Sequence, residues 1–284
     1  MLNYALFVFP VLIFFILFFI LPFLTGIFYS LTSWDGIQTE KHFIGFENYR
    51  SLYKENGYLQ ILLFSLKFVF LNTAFTLVFG LFLALALEKS SRGNTLFRTL
   101  FFMPNIISPL VAGFVWTFMF NTILPFIGER LHLGMADFSF LGSPGPALGS
   151  LITVSFWQSI GYVMIIYIAG INNIDKSVME SVRMDGAGFF TQIRFITLPL
   201  IMPSVTINLF WLLSQSFRFF DLNVSLTNGG PGKTTTGLAL DIYREGFGNN
   251  MMGLASAKAA VFFLLVFIIT LIQLRITKSK EVSL

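Results

Sequence analysis

Two clusters of polar and aromatic side chains interrupt long apolar stretches of this sequence, and their chemistry suits ligand binding. The first cluster repeats at helical spacing on one face, next to Trp157, and comprises Ser155, Gln158, Ser159 and Tyr162. The second comprises Gln215, Ser216 and Phe219, with Arg218 and Asp221 beside it. Hydroxyl and amide groups exchange hydrogen bonds and aromatic rings cover weakly apolar faces, so both clusters fit a ligand rich in hydroxyl groups, such as a sugar.

The same polar side chains have a second interpretation. Ser and Gln residues inside apolar helices also form hydrogen bonds between neighbouring helices, and each such bond contributes about 0.6 kcal/mol of stability on average. Spacing alone does not separate the two roles. Neither role requires charge, and Asp221 lies near enough in sequence to neutralise Arg218. A neutral or weakly charged ligand is therefore favoured over a phosphate ester, for which clustered arginines are expected.

Sequence motifs of common catalytic reactions are absent. The chain has no cysteine, which excludes disulfides, thiolate metal sites and cysteine nucleophiles. It contains no G-x-x-x-x-G-K-[ST] loop, no H-E-x-x-H motif and no G-x-S-x-G motif. The basic residues are scattered in ones and twos, so the net charge of +4 does not indicate nucleic acid binding. We expect neither an enzyme nor a nucleic acid partner, and no metal site.

The elements that position the two clusters are apolar helices long enough to cross a membrane. Hydrophobic residues make up 55% of the 284 positions and charged residues only 11%, against about 25% charged residues in soluble domains. Because about 20 apolar residues cross the hydrocarbon core, the pattern predicts an all-α integral membrane protein with one transmembrane domain, residues 1–284. We predict six spans, at roughly 4–29, 61–87, 97–120, 147–170, 198–220 and 256–274.

The distribution of basic residues predicts how these spans are oriented. An even number of spans places both termini on one side of the membrane. Lys and Arg are denser in the connections 88–96 and 171–197 and in the C-terminal tail than in the longer opposite loops. Cytoplasmic segments carry such an excess. Both termini are therefore predicted to be cytoplasmic.

The polar connection between predicted spans four and five, residues 171–197, is longer and more patterned than a linker requires. Ser177 and Glu180 have capping-box spacing, so a short helix is predicted to begin at Ser177. Gly186 can adopt the left-handed conformation that ends a helix. We expect a helix between these positions, followed by a glycine-linked second helix.

Prolines and glycines mark the other helix ends. The second short helix is predicted through Phe189, Ile193 and Ile196, before Pro199 opens span five in its first turn. Pro104 and Pro109 each remove a backbone donor, so predicted span three is kinked or begins near them. The Gly/Pro-rich segments 142–146 and 227–232 predict turns before spans four and six.

The 171–197 connection also resembles a known motif. Glu180, then Gly186, then Ile196-Thr-Leu-Pro199 after nine intervening residues, is similar to the EAA motif of permease subunits in binding-protein-dependent ABC importers. Ser181 and Val182 replace the usual two alanines with residues that are small or apolar. Segments 185–187 and 196–200 resemble the carbohydrate, or maltose/oligosaccharide-type, branch. Segments 46–49, 98–104 and 226–231 resemble other parts of the same family.

The resemblance implies a multi-pass permease subunit that moves a sugar or oligosaccharide across the bacterial plasma membrane by alternating access. It implies a homologous second permease, two ATP-binding subunits on the cytoplasmic face and an extracellular solute-binding protein as partners. Those ATP-binding subunits would hold ATP and Mg²⁺, and this chain would need no cofactor. A permease of the same type for glycerol phosphate or another small polar solute remains an alternative. An ion-coupled secondary transporter is a further one.

The resemblance also assigns residues to sites. The connection would dock in a groove of an ATP-binding subunit and transmit its closure, through Ser177, Glu180, Asp185, Gly186, Ala187 and Pro199. Both polar clusters lie where a maltose-type permease contacts its sugar, and only Tyr162 matches that permease in residue type. The implied substrate-binding residues are Ser155, Gln158, Ser159, Tyr162, Gln215, Ser216 and Phe219.

Overall fold

The structure is a computed structural model that describes residues 2–54, 57–89, 91–132 and 138–281. Within these ranges the regular secondary structure is helical, and one isolated antiparallel bridge joins Thr32 and Phe43. The all-α fold predicted from the apolar runs is therefore confirmed.

Among the described residues, five helices are long and apolar enough to cross a membrane. We name them span one, two, three, four and six in chain order: Val8–Ser30, Tyr58–Leu87, Pro109–Arg130, Pro144–Asn172 and Met252–Lys278. Span five is the helix Met202–Phe217, which meets the same criteria together with the preceding helix Phe189–Leu200, at a bend of 75°. The prediction of about six spans is confirmed on length and composition.

Span three begins later than the predicted boundary at residue 97. Residues Arg92–Phe102 form a separate helix, whose N-cap Ser91 accepts the N–H of Asn94 at 3.1 Å. A 3₁₀ turn over Met103–Ile106 and an extended stretch follow before Pro109 opens the span. An α-helix does not continue unbroken here because the two prolines lack the N–H that its ladder requires. The expected start near a proline was right, and the boundary at 97 was wrong.

Arg98 holds the helix Arg92–Phe102 against the end of span two. Its guanidinium donates to the carbonyl oxygens of Leu87 at 3.0 Å and Glu88 at 2.9 Å. The last carbonyls of a helix have no partner within the helix, so the arginine supplies the missing donors. A side chain predicted inside span three therefore closes the C-terminus of span two.

Span five differs from the prediction at both ends. Pro199 belongs to the helix Phe189–Leu200, and the first-turn proline of span five is Pro203. The span ends at Phe217 because Arg218 and Phe219 leave helical geometry, with ψ of 28° and 26°. A short helix, Phe220–Leu226, follows. The predicted boundaries at 198 and 220 were therefore wrong.

The turns predicted before spans four and six are present. Ser143 is extended and Pro144 is the first helical residue of span four, where its missing N–H costs no hydrogen bond. Asn228, Gly229 and Gly232 have positive φ angles of 44°, 71° and 57°. Left-handed geometry of this kind is typical of Gly and Asn in turns.

The chain divides into two compact units, one of residues 1–60 and 238–265, the other of residues 61–237 and 266–284. In the second unit, the buried core centres on span four and includes Val163, Met164 and Leu212. Gly161 packs so closely on the backbone of Phe101 that a Cβ atom would overlap it. One domain over the whole chain stays a prediction.

In the first unit, hydrogen bonds tie the connection after span one to its neighbours. The Asn48 amide donates to the carbonyl oxygens of Ser30 at 2.8 Å and Thr32 at 2.9 Å. The hydroxyl groups of Tyr49 and Ser30 lie 2.7 Å apart. The segment 46–49, which resembles the permease family, therefore anchors this connection to the end of span one.

Candidate functional site

One cavity in the second unit brings together most of the predicted ligand-binding residues. Its volume is about 300 Å³. Six of the seven candidates line it: Ser155, Gln158, Ser159, Tyr162, Gln215 and Phe219. Spans four and five each contribute one polar face, so the two clusters that are 60 residues apart in sequence share one wall.

Ser216 is the candidate that the structure places elsewhere. Its side chain is only 2% exposed and lies outside the cavity lining. Its hydroxyl accepts a hydrogen bond from the Asn72 amide of span two at 2.8 Å. Ser216 therefore bonds span five to span two, which is the second of the two roles that the sequence allowed for these polar side chains.

The aromatic part of the cavity is a stacked pair. The rings of Tyr162 and Trp211 have centroids 4.1 Å apart and planes 24° apart. Phe219 is 7% exposed and stacks on Phe68 with centroids 4.2 Å apart. Tyr162 and Trp211 therefore present the accessible ring surface, and Phe219 mainly supports the wall.

Gln158 also fixes the segment that leads into span three. Its amide donates to the Ile107 carbonyl oxygen at 3.0 Å, and its own backbone carbonyl accepts from the Asn105 amide at 3.3 Å. The first bond gives a partner to a backbone carbonyl between the two prolines, where regular helix is interrupted. Gln158 thus holds the cavity wall in place as well as lining it.

Arg218 and Asp221 are the charged residues of the cavity lining. Both lie where the chain leaves span five, and both side chains are exposed. Arg218 donates to the Gln215 side-chain oxygen at 2.9 Å and to the Ser214 carbonyl oxygen at 3.3 Å. In the part of the chain that the structure describes, it forms no ion pair with Asp221, contrary to the expected neutralisation.

Trp211 and Asn105 are the polar or aromatic lining residues that were not predicted from the sequence, and the apolar Ile107, Pro109 and Leu222 complete the lining. Trp211 precedes Gln215 by four positions, so helical spacing placed it on the same face. Asn105 carries no such signal, because it lies in the 3₁₀ turn between the prolines. Only the packing of that turn against span four brings it to the cavity.

The 171–197 connection contains the two predicted helices, with a different N-cap. The first helix is Lys176–Met184, and the Asp175 carboxylate accepts the Ser177 N–H at 2.9 Å. Asp175 therefore caps this helix, and the predicted start at Ser177 with its capping box was wrong. Hydrogen bonding from the Ser177 backbone N–H, then from its hydroxyl, lowers the pKa of Asp175 below its usual value.

Gly186 ends the first helix as predicted. Its φ is +73°, and the Ala187 N–H donates to the Val182 carbonyl oxygen at 3.3 Å, the bond of a Schellman motif. The second helix runs over Phe189–Leu200. It is joined to the first by the Gln192 amide, which lies 3.8 Å from the Met179 sulfur.

This connection exposes large apolar side chains as well as polar ones. The exposed large apolar side chains are Met184 at 88%, Phe190 at 78%, Phe195 at 65% and Phe189 at 60%. The predicted coupling residues Ser177, Glu180, Asp185 and Gly186 are exposed, whereas Ala187 and Pro199 are partly buried. Exposed apolar side chains among polar residues are typical of a protein interface.

The first unit contains a buried ion cluster that the sequence analysis did not single out. Lys258 of span six is fully buried, and its ammonium lies 2.7 Å from a Glu245 carboxylate oxygen and 2.9 Å from one of Asp241. The Asn249 amide donates to the other Glu245 oxygen at 3.1 Å. A lysine in the second turn of an apolar helix, with acids 13 and 17 residues earlier, was the available signal.

Comparisons with known proteins agree with this architecture. A family model described as binding-protein-dependent transport system inner membrane component matches residues 76–281. The chain is 37% identical to the probable starch degradation products transport system permease protein AmyD of Thermoanaerobacterium thermosulfurigenes, over 99% of this chain and 96% of AmyD. It is 30% identical to the multiple sugar-binding transport system permease protein MsmF of Streptococcus mutans, over 94% and 92%.

Other relatives carry different cargo names. The sn-glycerol-3-phosphate transport system permease protein UgpA of Salmonella typhimurium is 32% identical, over 95% of this chain and 92% of UgpA. A chain of a bacterial ABC transporter involved in import of the acidic polysaccharide alginate superposes with a TM-score of 0.82 at 23% identity, covering 98% of this chain and 95% of that chain. The structural match supports the fold.

Proposed function

This chain belongs to the family of binding-protein-dependent transport system inner membrane components, so it is a permease subunit of an ABC importer, and we propose that it moves a sugar or oligosaccharide. The cavity carries this proposal, because the stacked rings of Tyr162 and Trp211 lie beside hydroxyl and amide groups. Sugars combine weakly apolar ring faces with many hydroxyls, which such a wall matches. The names of AmyD and MsmF support the same cargo.

The proposed transport cycle is alternating access driven by partner subunits. Closure of two ATP-binding subunits turns the cavity from inward to outward access, and hydrolysis resets it. A homologous second permease completes the pathway, and an external solute-binding protein delivers the sugar. A related alginate importer has been solved in complex with a periplasmic protein that holds an alginate pentasaccharide, which supports the last partner. ATP and Mg²⁺ belong to the ATP-binding subunits.

We place the chain in the bacterial plasma membrane with both termini in the cytoplasm. Arg275 and Lys278 end span six, and Arg92 and Arg98 follow span two. These basic ends lie on one side if the spans alternate, and cytoplasmic ends carry such an excess.

The 171–197 connection is the proposed contact with an ATP-binding subunit. Its exposed apolar side chains include Met184 and Phe190, and they lie beside the Gly186 turn between two short helices. Docking there would move Phe189–Leu200, which leads through the bend into span five. Movement of the ATP-binding subunit would in this way reach the cavity wall that Gln215 lines.

A second candidate cargo is a small phosphate ester such as glycerol phosphate. Arg218 is the observation that favours it, since the guanidinium lines the cavity without a carboxylate partner among the described residues. The relative UgpA is named for that cargo.

The cargo is tested with the complete importer in nanodiscs and its binding protein. The ATPase rate is measured with maltotriose, raffinose, cellotriose and sn-glycerol 3-phosphate. We expect stimulation by at least one sugar. Stimulation by the phosphate ester alone, or by none of the four, would contradict the sugar proposal.

The coupling proposal is tested by two substitutions in the connection. Gly186→Pro is expected to abolish transport without loss of membrane insertion, because proline requires φ near −65° where Gly186 has +73°. Glu180→Lys is expected to do the same by reversing an exposed charge. Uptake by vesicles and the amount of assembled complex are measured together.

A neighbouring glycine provides the matched control. Gly188 has φ of −66° and open space around its Cα, so Gly188→Ala is expected to leave transport close to wild type. Full transport by both the Gly186→Pro and Glu180→Lys complexes would rule out the coupling role.

A further inference from the structure

Arg218 and Asp221 give the cavity one positive and one negative charge within four residues of chain. Both residues line the cavity and both side chains are exposed. They lie at the break between span five and the helix Phe220–Leu226. Their charges balance, yet they do not pair with each other within the described residues. Each charge is therefore open to a ligand.

Neutral groups hold Arg218 in place. A guanidinium has five N–H donors, and the bonds to Gln215 and to the Ser214 carbonyl use two of them. Three donors remain for a ligand in the cavity. Because Gln215 accepts through its side-chain oxygen, its NH₂ group also stays available as a donor.

Asp221 contributes the opposite chemistry. An ionised carboxylate only accepts hydrogen bonds. This carboxylate accepts no hydrogen bond from the described residues, although the Asp221 backbone carbonyl accepts from the Ser225 hydroxyl at 2.8 Å. A ligand group that approaches Asp221 must therefore bring a hydrogen.

We infer that Arg218 and Asp221 make this cavity selective for an uncharged sugar, with Arg218 donating to sugar oxygens and Asp221 accepting from a sugar hydroxyl. This inference rests on the proposed function. A hydroxyl both donates and accepts, so neighbouring hydroxyls of one sugar satisfy both side chains. A carboxylate or phosphate satisfies Arg218 only and is repelled by Asp221.

The repulsion from Asp221 is large enough to be measured. Two like charges several ångströms apart, at the effective dielectric near 20 that suits protein sites, change binding by roughly tenfold or more. Strong anion sites use bidentate or clustered arginines without an opposing carboxylate. The cavity lining contains one arginine and one aspartate.

The test compares one sugar with its own acidic derivative. The probe is whichever of maltotriose, raffinose and cellotriose stimulates the ATPase most, together with the same sugar after oxidation of its C6 alcohols to carboxylates. Binding of each to the nanodisc complex is measured by saturation-transfer NMR titration without the binding protein, which removes selection by that partner. Wild type is expected to prefer the neutral form by about tenfold.

Two substitutions separate the roles. Asp221→Asn is expected to remove most of that preference by strengthening binding of the carboxylate form. Arg218→Gln is expected to weaken the carboxylate form most and the neutral form about tenfold, since a hydrogen bond to a charged group is lost. Asp221→Glu should keep the wild-type preference, and Glu88→Gln, outside the cavity, is the control for charge alone.

The outcomes distinguish this inference from the proposed function. The inference is overturned if Asp221→Asn keeps the wild-type preference for the neutral sugar, or if wild type binds the neutral and carboxylate forms equally. The proposed function still stands in either case if a sugar stimulates the ATPase. If no sugar stimulates the ATPase, the proposed function itself fails.

Discussion

The buried ion cluster of the first unit and the cavity of the second unit both contain basic and acidic side chains. These side chains form ion pairs in the cluster but not in the cavity, among the described residues. In the ion cluster, Lys258 is fully buried and touches two carboxylates at 2.7 and 2.9 Å. In the cavity, Arg218 and Asp221 are exposed, and Arg218 is held by a neutral amide. Charge in an apolar helical protein is therefore a poor guide to function until its partners are known.

The difference follows from the cost of removing charge from water. An unpaired buried ion costs several kcal/mol, so a charge in the protein interior needs partners with good geometry. A charge that faces a wet cavity keeps its solvation and its free hydrogen-bonding capacity. The ion cluster thus holds helices together, whereas the cavity pair is available to a ligand. The following three predictions test that division, from the largest effect to the smallest.

The largest effect is expected in the ion cluster. Lys258→Met would leave the buried Glu245 and the partly buried Asp241 without a cation, so we expect a loss of about 3–5 kcal/mol in the free energy of unfolding. Chemical denaturation of the purified protein in mixed micelles measures this loss. The matched control is Lys67→Met in span two, where the lysine is exposed and little change is expected.

A second variant tests the cause of that loss. Adding Asp241→Asn and Glu245→Gln to Lys258→Met removes the buried charges and should recover part of the stability. Similar losses in the single and triple variants would mean that packing, and not charge pairing, is what Lys258 provides.

An intermediate effect is expected at the aromatic wall of the cavity. Tyr162→Ala removes the ring stacked on Trp211, and aromatic contacts of this kind contribute about 0.5–1.5 kcal/mol. Sugar binding to the nanodisc complex should weaken by up to about tenfold. Phe70→Ala, at a 70% exposed ring of span two, is the control. Equal binding by wild type and Tyr162→Ala would remove this residue from the site.

The smallest effect separates two serines that the sequence analysis treated alike. Ser155 lines the cavity, whereas Ser216 accepts a hydrogen bond from the buried Asn72. Ser216→Ala should cost about 1 kcal/mol of unfolding free energy and leave sugar binding unchanged, because a buried amide loses its partner. Ser155→Ala should weaken sugar binding a few-fold at unchanged stability. The reverse pattern would place Ser216 at the site instead.

Much of the cavity was predictable because helical spacing survives folding. Spans four and five are regular helices, so Gln158 and Tyr162, four positions apart, must share a face. The same argument failed for Ser216, which points about 100° away from Gln215 around the helix and meets Asn72 of span two. The predicted cavity face of span five therefore included Ser216, which does not line the cavity.

The EAA-like connection shows a similar limit at its first turn. Ser177 and Asp175 are both capping residues by type, and each precedes a plausible helix start. The choice of Asp175 depends on where span four ends, at Asn172, which leaves two residues before the cap. The three-residue spacing to Glu180 favoured Ser177 as the N-cap, but the helix begins one residue earlier, at Lys176.

The sequence by itself determined that this chain crosses a membrane, has about six spans and belongs with ABC importer permeases, because apolar length and motif order are local properties. Tertiary structure decided that Arg98 closes span two, that Lys258 forms ion pairs and that Arg218 forms none with the described residues. These outcomes depend on which groups distant parts of the chain bring within about 3 Å. Hydrogen bonds and ion pairs form only at that range, so no one-dimensional pattern could assign them.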